Sequence, residues 1–147
     1  MKKIKLETGC YKKIHYWDNK ETKIEREQYY NSKDEYHRKY APARIFYHRS
    51  GEIDRERYYI NGKCHRLNGP AAIWYYESGK IEIENYYIKG KRHRLNGPAR
   101  IWYFKSGETD KEYYYINDIE YSKEDWIVKS NKIMNIDRNL KLLSKVY

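Results

Sequence analysis

The sequence predicts an all-β fold, in which tandem β-hairpins form a single elongated antiparallel β-sheet with a C-terminal α-helical cap. One observation is an exact repeat, because His65–Ala71 returns letter for letter as His93–Ala99. Another is that all three prolines, and all eight glycines except Gly9, recur at fixed positions of this repeat. The composition agrees, because 19 tyrosines and 4 tryptophans provide large rings that suit a pleated sheet, whereas aliphatic side chains for a thick core are few.

Each repeat reads as one β-hairpin, and the period is 28 residues, the distance from His65 to His93. A fixed period of this size indicates a repeat architecture built from one supersecondary unit at a time. In one unit we expect a first strand at 71–76 and a second at about 81–88, joined by a Ser-Gly turn. The Gly-Pro pair before the first strand agrees with this assignment, because proline cannot donate a hydrogen bond within a sheet.

The repeats divide the chain into an array over residues 1–120 and a C-terminal segment over 121–147. The array contains three full units with a partial unit on either side. The expected bounds are 11–30 (partial), 31–57, 58–85, 86–113 and 114–120 (partial). Equivalent residues of neighbouring units should stack roughly 9–10 Å apart, because each unit contributes two strands at about 4.8 Å spacing.

The repeat pattern stops after Asn117, and a helix is predicted in the segment that follows. Ser122 is a suitable N-cap, and Asp125 lies three residues later, as in a capping box. Apolar residues then recur at helical spacing. They are Trp126, Ile133, Ile136, Leu140, Leu143 and Tyr147. An open repeat array needs a cover over its last strand, and we expect this helix to provide it.

A short motif links each hairpin to the next, and we interpret its residues as structural. They are His37, Arg38, Pro42, His65, Arg66, Gly69, Pro70, His93, Arg94, Gly97 and Pro98. The histidines lie too far apart to share one zinc ion, whose ligands are within about 2.1 Å of the metal, so we expect each to fix its own turn. For the arginines we favour pairing with Glu56, Glu84 and Glu112 over the alternative, a row of guanidinium groups that binds phosphates.

An aromatic strip is the candidate binding face, on the side of the first strands opposite to their repeated Ala, Ile and Tyr. It comprises Phe46, Trp74, Tyr76, Arg100, Trp102 and Phe104. The interpretation we favour is that these rings pack on one another along the sheet. The alternative is an exposed surface of these rings interleaved with basic side chains, which would stack on single-stranded nucleic acid or bind an acidic protein. The basic residues are Arg44, Lys91, Arg92 and Arg100.

The sequence shows no recognisable catalytic, cofactor-binding or metal-binding set, so we predict a protein that is not an enzyme and uses no cofactor or metal. Glu82 and Glu84 are expected to share one strand face, but such pairs recur in every unit without a pocket that would raise one pKa. Cys10 and Cys64 lack metal-ligand or redox spacing, which favours thiols in a reducing compartment. No apolar run approaches the roughly 20 residues of a membrane span, and no signal peptide is recognisable.

Three consecutive motifs, Tyr-Tyr-Ile-Asn-Gly-Lys, His-Arg-x-x-Gly-Pro-Ala and Ile-Trp-Tyr-Tyr-x-Ser-Gly-Lys, together resemble the variant class of MORN repeats. The resemblance covers roughly residues 11–120 and is strongest over 58–116. It implies β-hairpins stacked into one elongated sheet, with a role in scaffolding, protein contact or phosphoinositide binding and without a catalytic set. Arrays with this motif are similar to those of large DNA viruses and some bacteria, where some relatives are described as antitoxins.

We therefore expect an intracellular, non-catalytic repeat protein that acts as a protein-interaction or scaffold module, in the host cytoplasm if the chain is viral. The first alternative is binding of anionic lipid headgroups or nucleic acid through a basic sheet face, which the net charge of +10 favours. The second alternative is an antitoxin-like protein that neutralises a partner.

Overall fold

The computed structural model describes residues 1–6 and 9–143 of the 147-residue chain. The strands in the first half are β1 (Lys2–Lys5), β2 (Tyr11–Tyr16), β3 (Ile24–Tyr30), β4 (Arg44–Tyr47), β5 (Ile53–Arg57), β6 (Tyr59–Ile60) and β7 (Lys63–Cys64). Those in the second half are β8 (Ala72–Tyr75), β9 (Ile81–Asn85), β10 (Tyr87–Ile88), β11 (Lys91–Arg92), β12 (Arg100–Tyr103), β13 (Thr109–Ile116) and β14 (Ile119–Tyr121). One helix, α1, spans Lys123–Leu143. The side chains of Leu143 and Tyr147, which were expected on the apolar stripe, lie outside the described residues.

Ten of these strands form one antiparallel sheet, in the order β1-β2-β3-β4-β5-β8-β9-β12-β13-β14. The other four form two small ribbons, β6–β7 and β10–β11. Consecutive hairpins therefore lie side by side in chain order, and the predicted all-β fold of tandem hairpins with a C-terminal helix is confirmed.

The second strand is interrupted in two of the hairpins, between β5 and β6 and between β9 and β10, which the sequence pattern did not indicate. The equivalent strand β13 runs unbroken from Thr109 to Ile116. In one unit β9 ends at Asn85 and β10 begins at Tyr87. At the intervening Tyr86, the N–H donates to the carbonyl of Ala99 (2.8 Å) and the carbonyl accepts from the N–H of His93 (3.1 Å). Because these two bonds lead to different segments, the chain leaves the main sheet at this residue and forms a ribbon.

Successive ribbons are hydrogen-bonded to each other. The N–H of Gly90 donates to the carbonyl of Cys64 (2.8 Å), and the N–H of Arg66 donates to the carbonyl of Tyr87 (3.2 Å). Equivalent bonds recur in the neighbouring units. Each unit is thus joined to the next both within the main sheet and through the ribbons.

A β-bulge near the hairpin turn changes which side chains share a face. In one hairpin Trp74 pairs with Ile83, but Tyr75 pairs with Ile81, so no residue of β8 is directly opposite Glu82. The same register shift occurs in the hairpins before and after it. An extra residue in one strand breaks the two-residue alternation. Ile81 and Ile83, which strict alternation would place on one face, therefore pair with residues on opposite faces of the sheet.

The core lies on one face of the sheet, called the core face below. Its centre is a repeated pair of alanine and isoleucine, contributed by the first strand of each hairpin. The alanines are 0% exposed and the isoleucines between 6% and 9%; they are Ala43, Ala71, Ala99, Ile45, Ile73 and Ile101. Tyrosine side chains surround them, and their hydroxyls donate to glutamates, as Tyr75 does to Glu56 (3.0 Å) and Tyr103 to Glu84 (3.1 Å).

The C-terminal helix covers the last strands of the array, as predicted. Ser122 is its N-cap, because the Ser122 hydroxyl accepts from the N–H of Asp125 (3.1 Å). Trp126 packs on Tyr114 with ring centroids 4.9 Å apart, and its Nε1–H donates to the carbonyl of Arg94 (3.0 Å). Trp126 thus contacts the last tyrosine of the core face.

Among the described side chains of α1, those of the first half pack against the sheet. Ser130 is 1% exposed, whereas Ile136 and Leu140 are 50% and 59% exposed. The sequence pattern placed these two residues on the packed stripe, and for them that expectation is wrong. Across the described residues, no helix combines the length and the apolar character needed to cross a membrane.

The other end of the sheet is an edge strand rich in lysine. β1 is first in the strand order and pairs with β2. Its residues Lys2, Lys3 and Lys5 are exposed. Lysine on an edge strand disfavours pairing with the edge of another sheet.

Candidate binding face

The arginines of the repeated motif lie over tyrosine rings of the core face. The distances from guanidinium carbon to ring centroid are 3.9 Å for Arg38 and Tyr29, 4.0 Å for Arg66 and Tyr58, and 3.8 Å for Arg94 and Tyr86. Each guanidinium group also donates to a carbonyl four residues later, at 3.1–3.3 Å, and the acceptors are Pro42, Pro70 and Pro98. These contacts make the motif arginines structural.

The predicted pairing of these arginines with glutamates is wrong. No ion pair joins them to Glu56, Glu84 or Glu112 among the described residues. The carboxylates accept from tyrosine hydroxyls instead. The motif arginines are thus held by ring and carbonyl contacts, to which Arg94 adds a bond from its Nε–H to Oδ1 of Asn96 (3.4 Å).

Each motif histidine contacts the tight turn of the following unit, not its own turn as expected. His37 Nδ1 lies 2.8 Å from Asn61 Oδ1, and the N–H of Lys89 donates to His65 Nδ1 (3.2 Å). The third histidine repeats the first arrangement. The histidines therefore connect neighbouring units. Within the described ranges, no three His, Cys, Asp or Glu side chains are grouped so as to hold a metal ion.

The opposite side of the sheet, called the arginine face below, combines guanidinium groups with aromatic rings. It is defined by Arg44, Phe46, Arg55, Arg57, Trp74, Arg92, Arg100 and Trp102. Phe46 pairs with Arg55 across one strand boundary, and Arg55 pairs with Trp74 across the next. Residues directly opposite on antiparallel strands share a face, so a guanidinium group lies between these two rings.

The structure brings together four of the six predicted binding residues. They are Phe46, Trp74, Arg100 and Trp102. Tyr76 and Phe104 follow the ends of their strands and lie away from this group. The Tyr76 hydroxyl donates to the carbonyl of Tyr103 (2.7 Å), and Phe104 is 51% exposed beside the hairpin turn.

The rings of the arginine face contact guanidinium groups, whereas we had favoured packing of the rings on one another. The distances from guanidinium carbon to ring centroid are 4.2 Å for Arg55 and Phe46, 5.0 Å for Arg44 and Phe46, 5.0 Å for Arg57 and Trp74, and 4.8 Å for Arg100 and Trp102. A cation within about 6 Å of a ring centroid is attracted by the ring quadrupole. The rings therefore fix the positions of the guanidinium groups.

Among the described residues, the Nε–H groups of the arginines on this face lack hydrogen-bond acceptors. Six buried side-chain nitrogens in the described part of the chain have no hydrogen-bond partner, and all six belong to this face. They are Nε of Arg44, Arg55, Arg57, Arg92 and Arg100, and Nε1 of Trp102. Asp54 lies 3.4 Å from Nε of Arg55, but without hydrogen-bond geometry. A buried unpaired N–H costs roughly 1–3 kcal/mol, so this face is poorly satisfied by the chain itself.

Sequence reasoning missed two arginines of this face, Arg55 and Arg57. Arg55 and Arg57 alternate with Asp54 and Glu56 along β5, and this alternation was an available signal. Arg92 lies on β11, in a ribbon that the sequence did not predict.

A cavity of about 370 Å³, called the Ala72 cavity below, opens on the arginine face. Ala72 stands at the repeat position that Arg44 and Arg100 occupy in the other full units, so one long side chain is missing here. Ala72 and its cross-strand partner Asn85 are each 2% exposed and form the bottom. The surrounding side chains include Arg57, Arg92, Arg100 and Trp74. No carboxylate is among the described residues that line the cavity.

Cys64 also lines this cavity, and its surroundings keep the thiol protonated. Burial raises the pKa of Cys64 to about 11, although the charge of Arg57 opposes the shift. The thiol donates to the carbonyl of Ala71 at 3.6 Å. Because the thiolate is the reactive form, this cysteine is not a nucleophile at neutral pH.

A second cavity, of about 460 Å³, lies between two consecutive motif loops. Its charged lining consists of Arg66, His93 and Arg94. Both arginines already contact tyrosine rings and proline carbonyls. This cavity therefore offers fewer unused hydrogen-bond donors than the Ala72 cavity does.

The fold and the two faces define a tandem-repeat β-protein with one structural face and one arginine-rich face, on which five arginine Nε atoms lack a hydrogen-bond acceptor among the described residues. Comparisons with protein-family models, with curated proteins and with solved structures find no match to this chain.

Proposed function

We propose that this protein is a non-catalytic binding module, of the MORN-repeat variant type that its motifs resemble, and that its arginine face binds an acidic segment of another protein. The observation that supports this most directly is that Nε of Arg44, Arg57, Arg92 and Arg100 is buried without a hydrogen-bond acceptor among the described residues. Arginine and tryptophan dominate the energetically important centres of protein interfaces. A chain with a net charge of +10 also attracts acidic partners over a distance.

The geometry of the rings favours an acidic protein over single-stranded nucleic acid. Bases stack on exposed aromatic faces in proteins that bind single strands. On this sheet, guanidinium groups lie against the rings of Phe46, Trp74 and Trp102. Carboxylates, by contrast, bind guanidinium donors and do not require exposed rings. Because the rings already hold these donors in position, less conformational entropy is lost on binding.

The test compares three probes by fluorescence titration in a salt series: a glutamate-rich peptide containing leucine and tyrosine, single-stranded DNA, and vesicles containing anionic lipid. We expect saturable one-to-one binding of the peptide that persists at physiological ionic strength, because salt screens hydrogen-bonded, partly buried guanidinium–carboxylate pairs less than exposed charges. Preferential binding of DNA, with a steep loss of affinity as salt rises, would replace the proposal with nucleic-acid binding. Preferential binding of vesicles would replace it with lipid binding.

A matched pair of double variants separates the face from the overall charge. Arg44→Gln with Arg55→Gln removes two positive charges from the arginine face, outside the Ala72 cavity. Lys129→Gln with Lys132→Gln removes two positive charges from exposed positions of α1. We expect the first pair to weaken peptide binding roughly tenfold and the second less than about twofold. Equal weakening would show that net charge, and not this face, binds the peptide.

A further inference from the structure

We propose that the Ala72 cavity is a site for a phosphate monoester, where Arg57, Arg92 and Arg100 bind the phosphate and the aromatic lining contacts the organic group. This inference rests on the proposed function in so far as the cavity belongs to the arginine face. It adds a site of defined size and chemistry to that face.

The cavity arises from one departure from the repeat, in surroundings that are otherwise complete. In the neighbouring units, the arginine equivalent to Ala72 lies over the ring two residues later, as Arg100 does over Trp102 (4.8 Å). In the middle unit, Trp74 is covered by Arg57 from the adjacent strand instead (5.0 Å). Trp74 thus keeps its cation contact, and the volume of the missing side chain stays open.

The charges around this opening have one sign. Arg57 and Arg100 lie on strands separated by β8 and β9, so their backbones are roughly 14 Å apart, three strand spacings. Arg92 approaches from the ribbon β10–β11. Three guanidinium groups therefore surround an opening whose described lining contains no carboxylate. Guanidinium forks match the oxygens of a phosphate group, and a phosphate dianion balances more than one of them.

The remaining lining suits an organic group attached to the phosphate. Trp74, Ile83 and Tyr87 contribute apolar and aromatic surface, and Asn85 contributes an amide at the bottom. A volume of about 370 Å³ exceeds what an inorganic phosphate ion fills and falls within the range of small-molecule sites, roughly 300–1,000 Å³. The protonated Cys64 thiol places no negative charge against the phosphate. Size and lining together favour a monoester over the free ion.

Calorimetric titration of the intact protein tests this directly, with phenyl phosphate, adenosine 5′-monophosphate, inorganic phosphate and phenol as probes. We expect one-to-one binding of a monoester, at least roughly tenfold weaker binding of inorganic phosphate, and none of phenol. Preference for phenyl phosphate would point to a phosphorylated aromatic side chain of a partner, and preference for the nucleotide to a free metabolite. Failure of both monoesters to bind would overturn the inference.

Arg100→Gln and Arg44→Gln form a matched pair for this test. They occupy the same repeat position, and Nε is buried without a partner in both, but only Arg100 lines the cavity. We expect Arg100→Gln to weaken monoester binding roughly tenfold or more and Arg44→Gln less than about twofold. Equal effects would contradict a site at the cavity.

Ala72→Arg separates this inference from the proposed function. The change adds the arginine that the neighbouring units carry, so it fills the cavity while it raises the positive charge of the face. We expect monoester binding to be lost and binding of the glutamate-rich peptide to be kept. Undiminished monoester binding in a folded variant would overturn the site. If circular dichroism shows that the variant is unfolded, the comparison of Arg100→Gln with Arg44→Gln decides.

The wild-type protein distinguishes the two proposals. Binding of the peptide without binding of a monoester would refute this inference alone. Binding of a monoester without binding of the peptide would refute the proposed function alone.

Discussion

The glycine of the repeated motif lies against the arginine three residues before it. Gly97 has a φ of +150°, and a Cβ added there would lie 3.2 Å from Cζ of Arg94, closer than most side-chain contacts allow. Arg94 in turn lies over the ring of Tyr86. A side chain at this glycine would therefore have to displace the guanidinium group from the tyrosine ring.

Gly97→Ala should destabilise the protein by roughly 1–3 kcal/mol, from backbone strain and loss of the Arg94 ring contact. Urea denaturation followed by circular dichroism measures this change. Gly107→Ala is the control, because Gly107 also has a positive φ (+101°) but no atom within 4 Å of the added Cβ. A loss for Gly97→Ala no larger than that for the control would show that the arginine contact is unimportant.

The tyrosines of the core face make the fold sensitive to alkali. Burial, followed by hydrogen bonds and charge from glutamates, raises the pKa of Tyr29 and Tyr114 to about 12, and burial with the charge of Glu84 raises the pKa of Tyr103 to about 12. An unfolded tyrosine titrates near 10. Since the folded state favours the protonated phenol, this stabilisation is complete below pH 10 and is lost as the pH rises from 10 towards 12.

We expect tyrosinate absorbance and loss of the sheet signal to rise together above pH 10. Glu112→Gln should lower the pKa of Tyr114, because it removes a carboxylate that opposes ionisation. Titration of all tyrosines near pH 10 with the sheet intact would contradict the raised pKa values.

At the scale of the element, the ribbon tips are two-residue turns with left-handed backbone at both positions. Asn61 and Gly62 have φ values of 47° and 72°, and Lys89 and Gly90 have values of 52° and 88°. Turns of this type prefer Asn-Gly, because asparagine tolerates positive φ better than lysine does. The ribbon β10–β11 therefore carries a strained residue, Lys89, at the turn position where the ribbon β6–β7 carries the favourable Asn61.

Lys89→Asn should stabilise the protein by roughly 0.5–1 kcal/mol, because it relieves this strain and provides the side-chain oxygen that contacts the histidine in the other units. The midpoint of urea unfolding measures the gain. Lys91→Asn, two residues further along the same ribbon, removes the same charge without changing the turn. A similar gain in that control would assign the effect to charge alone.

At the scale of the whole molecule, the structure is a one-dimensional array in which each unit contacts its neighbours through the sheet, the ribbons and the histidine contacts. The stability of such an array is close to a sum of unit terms and nearest-neighbour terms. Deletion of one complete 28-residue repeat should therefore preserve each type of contact between the units that remain.

Deletion of 58–85 removes one unit and joins Arg57 to Tyr86, which takes the place of Tyr58. We expect a folded, shorter protein whose unfolding free energy and urea m-value are both reduced, because less surface is buried. Deletion of 58–71, half a unit, should unfold the chain although it removes fewer residues. Equal loss of structure in the two deletions would contradict the modular description.

The sequence predicted the features that depend on spacing and local chemistry. The 28-residue period, the proline before each first strand and the Ser122 N-cap led to the correct elements. It did not predict features that depend on a contact between distant segments. The arginine that lies over Tyr86 and the histidine that bonds the next turn depend on loop paths that no residue pattern specifies. The bulge at Glu82 adds one residue to the second strand, so the two faces no longer alternate strictly along it. The ribbon that carries Arg92 forms because the chain leaves the main sheet at Tyr86.

The lysine-rich edge strand has a consequence for self-association. A stacked array grows by adding strands at its ends, and here α1 covers one end while β1 presents Lys2, Lys3 and Lys5 at the other. Two copies that approach through this open end bring like charges together, which disfavours edge-to-edge pairing at low ionic strength. Concentrated salt or acetylation of these lysines removes that barrier, and because α1 covers the other end, the expected product is a dimer joined through two β1 strands and not a growing fibril.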